Sequence, residues 1–333
     1  MALRWGIASS GKIAHDFVTA VKGLPVEEHQ VVAVAARSLN SATNFANNHN
    51  IPKYYEGYEK LAKDPDVQVV YIGVLNPQHY EVTILMLNNG KHVLCEKPFA
   101  INQKQAKKMI DLAKSKNLFI MEAIWSRTFP VYREVRKLLD EGAIGEIKHA
   151  QIDFGFPLEN VDRIKDKQLG GGAILDLGIY ILQFQQFIYR ELKPVKVVAA
   201  GHITKEGVDE SASAIFTYPN GKTAVVTCNA TAQMTNEAVI IGTKGTIRIP
   251  TFWCPTTYSI NGKIKEIPLI ENTGTFNYTN SAGLAYEAAE VRKQIIQGKI
   301  ESDQITHEET LQLSGWMDIL RKEVGVIFPE DSD

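Results

Sequence analysis

The chain has few cysteines, no marked excess of charge and no long apolar run. Its three cysteines, Cys95, Cys228 and Cys254, lie far apart and form no metal-ligand spacing, so we expect reduced thiols, no disulfide and no metal centre. The 36 Lys and Arg residues nearly balance the 38 Asp and Glu residues, which gives no reason to expect a nucleic-acid partner. No uncharged apolar run approaches the ~20 residues that a membrane helix needs. The N-terminus also lacks a signal-peptide pattern. These absences predict a cytoplasmic protein with no membrane partner.

Strand and helix patterns alternate over the first ~120 residues, a length typical of one domain. Apolar strands are predicted at residues 3–8, 31–36, 69–74, 92–95 and 118–121, with helical periodicity between them. Such strands, rich in β-branched residues and without polar alternation, are typical of buried parallel sheets. The fold class is therefore predicted to be α/β, beginning with a Rossmann-type doubly wound parallel sheet.

The second half of the sequence changes character. From about residue 148 to residue 270, most segments alternate apolar and polar residues, and turns such as Asn261-Gly262 separate several of them. Helices are predicted around residues 170–188, 283–297 and 307–323. This pattern predicts an α+β domain with a large, mostly antiparallel, open-faced sheet. We place the domains at residues 1–123 and 124–333.

The loop after the first strand carries an incomplete dinucleotide fingerprint. Gly11 and Ala14 fit the second and third positions, whereas Ser9 replaces the first glycine. Gly11 would let backbone N–H groups approach a pyrophosphate at the positive end of the next helix. The alternative is a plain turn between a strand and a helix.

Two further loops follow predicted strands. Arg37 and Ser38 stand where NAD enzymes usually place an acidic residue for the ribose, and a guanidinium there suits the 2′-phosphate of NADP. Asn76-Pro77-Gln78-His79 follows the third predicted strand. The plainer interpretations are a solvated arginine at a strand end and a turn that starts a helix.

A lysine and a tyrosine are the strongest candidates for chemistry. Lys97 ends an apolar strand within Glu96-Lys97-Pro98, and Tyr180 follows Asp176 by four residues, so the latter two share a helix face. A lysine can lower the pKa of a nearby phenol, and the pair can move the proton that accompanies hydride transfer. The plainer interpretations are a surface lysine and a core tyrosine.

These motifs resemble a known family. Glu96-Lys97-Pro98, the Asn76-x-x-His79 pair, Arg127-x-x-Pro130 and the run from Gly170 to Tyr180 are similar to the glucose-fructose oxidoreductase/inositol dehydrogenase (Gfo/Idh/MocA) family, and the resemblance covers essentially the whole chain. Two departures matter. Many members have His where this chain has Tyr180, and Ser9 replaces the first fingerprint glycine.

The resemblance implies a role for each candidate residue. Lys97 and Tyr180 would be the catalytic pair, with Asp176 and His79 assisting them. Residues expected to bind NADP are Ser9, Gly11, Lys12, Ile13, Arg37, Ser38, Asn76, His79, Glu96, Lys97 and Arg127. Residues expected to bind substrate are Trp125, Phe154, Asp176, Tyr180, Trp253 and Phe276, although each aromatic residue is equally consistent with a core position.

The expected activity is NADP-dependent oxidation of a small molecule, either an aromatic dihydrodiol or an aldose such as D-xylose. One alternative is a dedicated aldose or inositol dehydrogenase of the same fold. Another is a non-catalytic NADP(H)-sensing protein, although such a protein would be expected to lack Lys97 or Tyr180. Because helices are too few to cover both faces of the second sheet, we also expect a homodimer through that sheet.

Overall fold

A computed structural model describes residues 2–190 and 192–332. The chain forms two compact units. The first comprises residues 2–100, 104–128 and 269–310, and the second comprises residues 101–103, 129–190, 192–268 and 311–332. The first unit thus takes in residues 269–310, which the proposed division into 1–123 and 124–333 places in the second domain.

The first unit contains a six-stranded parallel sheet, which confirms the predicted Rossmann-type fold. Its strands are β1 (Leu3–Ala8), β2 (His29–Ala36), β3 (Lys53–Glu56), β4 (Val69–Ile72), β5 (His92–Glu96) and β6 (Ile120–Ala123). They lie in the order β3-β2-β1-β4-β5-β6. The strand order therefore reverses between β1 and β4, and ligands of open α/β sheets bind at such a point.

The prediction of five strands in this region was wrong by one. The sequence analysis missed β3, a Lys-Tyr-Tyr-Glu segment whose residues are exposed or half-buried at the edge of the sheet. An edge strand has one unpaired side and needs fewer apolar residues, so β3 lacks the apolar run that identified its neighbours.

Helices connect and follow these strands. In chain order they are α1 (Lys12–Val21), α2 (Leu39–His49), α3 (Tyr58–Lys63), α4 (Gln78–Asn88), α5 (Gln103–Ser115), α6 (Pro130–Asp140), α7 (Asp162–Lys165), α8 (Ile179–Tyr189), α9 (Leu284–Ile296) and α10 (His307–Val324). The first unit is completed by α9, which packs against α1.

The second unit contains an eight-stranded sheet. Its strands are β7 (Ile147–Gly155), β8 (Lys196–Ile203), β9 (Asp209–Tyr218), β10 (Lys222–Asn229), β11 (Glu237–Gly242), β12 (Gly245–Pro250), β13 (Thr257–Ile260) and β14 (Lys263–Glu266). Every neighbouring pair is antiparallel except β7 and β10, so the predicted mostly antiparallel sheet is confirmed.

The two faces of this sheet differ in burial. Ala212, Ala214 and Phe216 of β9 are buried, and the Phe216 ring packs on Trp316 of α10. On the other face, Val198 and Ile215 are cross-strand neighbours that are 50% and 48% exposed. Apolar residues therefore remain uncovered on one face of the sheet within the described chain.

The helix predicted around residues 170–188 is not uniform. Residues Ile174–Gly178 form a π-helical turn that leads into α8. Such turns are rare and occur frequently at functional sites. Asp176 lies in the π turn and Tyr180 in the first turn of α8, so the predicted i, i+4 pair spans a wider turn than that of an α-helix.

The described residues include neither a membrane-spanning helix nor a cluster of metal ligands. Within residues 2–190 and 192–332, no helix is long and apolar enough to cross a membrane. The same residues contain no group of three or more His, Cys, Asp or Glu side chains arranged to hold a metal ion.

Candidate active site

Four loops of the first unit meet at one edge of its sheet. Because β2, β1, β4 and β5 are parallel neighbours, the segments that follow them lie along the same carboxyl edge. These segments carry the predicted cofactor residues Ser9 to Ile13, Arg37 and Ser38, Asn76 to His79, and Lys97. The topology thus collects residues that are widely separated in sequence.

The loop after β1 leads into an exposed helix N-terminus. Gly11 precedes α1 in an extended conformation, and its N–H donates to Ser9 Oγ at 3.0 Å. Gly11 and the neighbouring Lys12 are exposed. Ser9 therefore uses one loop N–H that the missing glycine would have left for a ligand, while the positive end of α1 still fits a pyrophosphate.

The end of β2 presents an exposed arginine. Arg37 is exposed, and Ser38 caps α2 by accepting the Ser41 N–H at 3.2 Å. Burial raises the pKa of Tyr58, and the positive charge of Arg37 opposes this shift. A guanidinium at this strand end fits a 2′-phosphate better than it fits a bare ribose.

A buried carboxylate fixes the backbone beside Lys97. Lys97 is half-buried, and its N–H donates to Glu96 Oε2 at 3.2 Å. The other oxygen, Glu96 Oε1, accepts the Tyr71 hydroxyl at 2.6 Å. The Tyr71 ring stacks on Phe17 of α1 with a centroid distance of 3.9 Å. The strand end that carries the lysine is therefore tied to the sheet and to α1.

His79 holds the other side of the same turn. Its Nδ1 lies 2.7 Å from the Pro98 carbonyl oxygen, and its Nε2 lies 3.1 Å from that of Val74. Burial lowers the pKa of His79 to about 4, although the two carbonyl oxygens favour the charged ring. With both nitrogens against backbone carbonyls, this arrangement favours a positioning role for His79 next to Lys97.

Three other predicted residues lie elsewhere in the first unit. Arg127 is buried, and its Nη1 donates to Glu309 Oε1 at 3.0 Å, so it already has a carboxylate partner. Trp125 is also buried. Phe276 is half-buried and precedes Asn277, whose backbone and side-chain N–H groups both donate to the buried Asp16 of α1 at 2.8 Å.

The second unit brings together three of the predicted substrate residues, Phe154, Tyr180 and Trp253. The Phe154 ring lies 5.4 Å from the Tyr180 ring and 4.7 Å from the Trp253 ring. Phe156 packs edge-on against both Phe154 and Trp253. Tyr180 is 8% exposed, so its phenol stands at the border of an aromatic cluster that can stack a flat ligand ring.

Asp176 has a partner that the sequence analysis missed. Arg163 Nη1 of α7 donates to Asp176 Oδ1 at 2.6 Å. Asp209 was also missed, and its Oδ2 accepts the Ile174 N–H at 2.6 Å, at the start of the π turn. Neither residue belongs to a motif, and only the folded chain brings them to this turn.

Two buried glutamates of the first unit were missed as well. Burial raises the pKa of Glu122 to about 7, against the Phe99 N–H that it accepts at 3.0 Å. Glu287 of α9 is fully buried without a hydrogen-bond partner for either carboxylate oxygen. Burial and the charge of Glu96 raise the pKa of Glu287 well above its ordinary value.

Known proteins resemble both parts of the chain. Residues 3–124 match the oxidoreductase family with an NAD-binding Rossmann fold, and residues 132–248 match the GFO/IDH/MocA C-terminal domain. Proteins named trans-1,2-dihydrobenzene-1,2-diol dehydrogenase are 45% identical in Danio rerio, over 100% of both chains, and 46% identical in Sus scrofa, over 99% of both. The human protein of that name is 43% identical over 99% of both chains.

The chain belongs to the GFO/IDH/MocA family. It is therefore an NAD(P)-dependent oxidoreductase, and the family expected from its motifs is confirmed.

Solved structures agree with this fold. A 3-ketoreductase from Actinomadura kijaniata, in complex with NADP and TDP-benzene, matches with a TM-score of 0.83 and 25% identity, covering 98% of this chain and 99% of that one. A levoglucosan dehydrogenase, in complex with NADH and levoglucosan, matches with a TM-score of 0.84 at 20% identity over 98% of both chains. The second likeness shows the fold alone. The two neighbours hold different nicotinamide cofactors, so the choice between NADP and NAD depends on residues of this chain.

Proposed function

We propose that this protein oxidises trans-dihydrodiols of aromatic hydrocarbons to catechols, and D-xylose and related aldoses to lactones, with NADP⁺ as the hydride acceptor. The observation that carries the proposal is the position of Tyr180, four residues after Asp176, beside the aromatic cluster of Phe154, Phe156 and Trp253. A phenol and a carboxylate next to ring faces suit a substrate that is both flat and hydroxylated. Full-length relatives carry the name of a dihydrodiol dehydrogenase, which supports the same substrate class.

The proposed chemistry is alcohol oxidation. Bound NADP⁺ supplies the acceptor for the hydride that leaves the carbinol carbon. Tyr180 accepts the proton from the hydroxyl of that carbon, and Lys97 lowers the pKa of the phenol. Oxidation of one carbinol of the dihydrodiol gives a ketone, which tautomerises to the catechol, so each turnover releases one proton.

The preference for NADP rests on Arg37 and Ser38. No acidic residue follows β2 to accept the ribose hydroxyls, whereas the exposed Arg37 can pair with a 2′-phosphate. The open N-terminus of α1 and the exposed Gly11 suit the pyrophosphate. Lys12, Ile13, Asn76, Glu96 and Arg127 complete the proposed cofactor site, in which Arg127 acts through its ion pair with Glu309.

A substrate panel separates this proposal from its alternatives. We would measure kcat/KM with NADP⁺ for trans-1,2-dihydrobenzene-1,2-diol, D-xylose and myo-inositol by NADPH absorbance. The proposal expects turnover of the dihydrodiol and of D-xylose. Turnover of sugars or inositol alone would favour a dedicated aldose or inositol dehydrogenase. NADPH binding without turnover of any substrate would favour a sensing protein.

We also propose a cytoplasmic homodimer formed through the open face of the second sheet. The exposed pair Val198 and Ile215 lies on that face, and the Ser213 and Thr227 hydroxyls lie 3.1 Å apart across the neighbouring strands. Two copies packed about a twofold axis would cover the same patch on each subunit. A single chain has a mass of 37.1 kDa, so light scattering should report about twice this mass.

The double variant Thr217→Asp with Thr227→Asp tests the proposed interface. Both residues are half-buried on the sheet face that carries Ile215, so the added charges should repel across the twofold axis and yield monomers. Lys116→Asp, at an exposed residue directly after α5, is the control and should stay dimeric. A monomeric unmodified protein would contradict the proposal.

A further inference from the structure

The short helix α7 of the second unit packs against the glycine run Gly170 to Gly172, which precedes the π turn. The Ile164 carbonyl of α7 accepts the Gly172 N–H at 2.8 Å, and the Ile164 side chain is buried. A Cβ on Gly171 would lie 2.3 Å from that carbonyl oxygen, closer than any side chain tolerates. The glycine at 171 therefore allows the backbone of α7 to contact the segment that leads to Asp176.

This contact places a cation next to Asp176, a residue proposed to bind the substrate. Arg163, next to Ile164 on α7, donates through Nη1 to Asp176 Oδ1 at 2.6 Å. The Asp176 side chain is 10% exposed, whereas that of Arg163 is 42% exposed. The pair thus consists of a nearly buried anion and a cation that solvent or a ligand can reach.

A carboxylate and a guanidinium side by side suit a hydroxyl group. The carboxylate accepts the O–H hydrogen, and a guanidinium, with five N–H donors in one plane, donates to the hydroxyl oxygen. Such charge-assisted hydrogen bonds are about twice as strong as neutral ones. An alcohol held at both its donor and its acceptor is held in one orientation.

Other residues of the second unit are placed to contact the remaining parts of the ligand. Tyr180 follows Asp176 by four residues and borders Phe154, whose ring is 5.4 Å away. A ring stacked on the aromatic cluster with one hydroxyl on Tyr180 would bring its adjacent hydroxyl towards the Asp176 end of the same turn. The substrate class that uses all of these groups is a vicinal diol.

We propose that Arg163, together with Asp176, recognises the second hydroxyl of a vicinal diol, and that Arg163 is therefore a specificity-determining residue of this enzyme. The inference rests on the proposed function, since it assigns the hydroxyl next to the one that is oxidised. The inference also explains why glycine is needed next to α7, because Arg163 reaches Asp176 only when α7 lies close to this segment.

Binding of catechol and phenol tests this inference without turnover. The two ligands share one ring and differ by one hydroxyl, and their affinities for the protein in the presence of NADPH can be measured by calorimetry. The unmodified protein should bind catechol at least about tenfold more tightly than phenol, because the second hydroxyl makes at least one additional charge-assisted hydrogen bond. Arg163→Met should abolish most of this difference by weakening catechol while leaving phenol unchanged.

Two variants control for a purely structural role. Lys165→Met removes the other basic residue of α7, which pairs with the exposed Asp162, and should leave both affinities unchanged. Arg163→Lys keeps the charge but loses the planar fork, and should fall between Arg and Met. In steady-state assays, Arg163→Met should raise KM for the dihydrodiol about tenfold with little change in kcat, as expected for loss of uniform binding.

The outcomes separate this inference from the proposed function. If the unmodified protein oxidises dihydrodiols but Arg163→Met weakens catechol and phenol equally, or weakens neither, the inference is wrong and the proposed function stands. If the unmodified protein oxidises no diol and does not distinguish catechol from phenol, both are wrong. Loss of the catechol preference in Arg163→Met, with a melting temperature close to that of Lys165→Met, supports the inference.

Discussion

The two residues proposed for proton transfer are held in different ways. Lys97 lies on a strand end that is fixed by polar groups: its N–H bonds to Glu96, which also accepts the Tyr71 hydroxyl, and His79 contacts the Pro98 carbonyl. Tyr180 lies on a helix whose surroundings are aromatic, with Phe154 as its ring partner. The first environment fixes a backbone by hydrogen bonds, and the second shapes a surface for a ligand. Under the proposed function, each unit contributes one proton-transfer group, and the second unit also contributes the aromatic cluster proposed to bind the substrate.

The largest effect is expected from removing either proton-transfer group. Lys97→Met and Tyr180→Phe should each lower kcat by about 100- to 10,000-fold, the usual contribution of general acid–base catalysis, while NADPH still binds. Because the two residues act as a unit, the double variant should be little worse than either single one. Single-turnover rates and NADPH titration would measure both. A single variant whose kcat stays within a few-fold of the unmodified protein would remove that residue from the pair.

The next effect concerns only the first unit. If Arg37 pairs with the 2′-phosphate, the unmodified protein should prefer NADP⁺ over NAD⁺ by about ten- to a hundredfold, from one charge-assisted hydrogen bond or more. Arg37→Asp should narrow or reverse this ratio of kcat/KM without changing the ranking of substrates. Equal kcat/KM for the two cofactors in the unmodified protein would contradict the assignment.

A pH-dependent effect on stability is expected from the buried carboxyl of Glu122. Its pKa is raised to about 7 by burial, so the folded protein binds a proton that the unfolded chain releases at lower pH. This contribution to stability is present below the ordinary pKa and is lost as pH rises towards 7. Glu122→Gln should remove this pH-dependent loss of stability. The free energy of unfolding of the variant, relative to that of the unmodified protein, should therefore rise by about 1–3 kcal/mol between pH 4.5 and 8.

Urea unfolding at several pH values measures this difference. The exposed Glu141→Gln is the matched control and should show a much smaller change over the same range. A relative stability of Glu122→Gln that does not change with pH would mean that Glu122 does not hold a proton in the folded protein.

The smallest effect concerns the aromatic cluster. Trp253→Leu removes a ring that lies 4.7 Å from Phe154, and should raise KM for the dihydrodiol about fivefold, from the loss of about 1 kcal/mol of ring packing. D-xylose has no flat ring, so its KM should change less. An equal rise for both substrates would indicate a general disturbance of the second unit and not the loss of a stacking surface.

Much of the first unit could be predicted from sequence because its signals are local. Apolar strands, the loop at Gly11 and Glu96-Lys97-Pro98 each occupy a few consecutive residues, and parallel topology then collects the loops at one edge. The edge strand β3 was missed because its residues are polar. Glu287 was missed because α9 lies almost two hundred residues after the motif that it neighbours.

The second unit could be predicted less well. Its alternating strands were recognised, but the hairpin of β13 and β14 was visible only as the turn at Asn261-Gly262. The sequence shows the glycine run, but the partner of that run, the Ile164 carbonyl, depends on tertiary structure. The ion pair of Arg163 and Asp176 depends on the contact between α7 and the glycine run, so no sequence pattern predicts it.

The most direct test of this account is the product formed from trans-1,2-dihydrobenzene-1,2-diol by the unmodified protein with NADP⁺. We expect catechol and NADPH in equal amounts, measured by chromatography and by absorbance, and catechol formation at least about 100-fold slower in Tyr180→Phe at matched concentration. Absence of catechol while NADPH forms from sugars would contradict the assigned substrate class. Catechol formation by Tyr180→Phe at a rate within a few-fold of the unmodified protein would contradict the assigned chemistry.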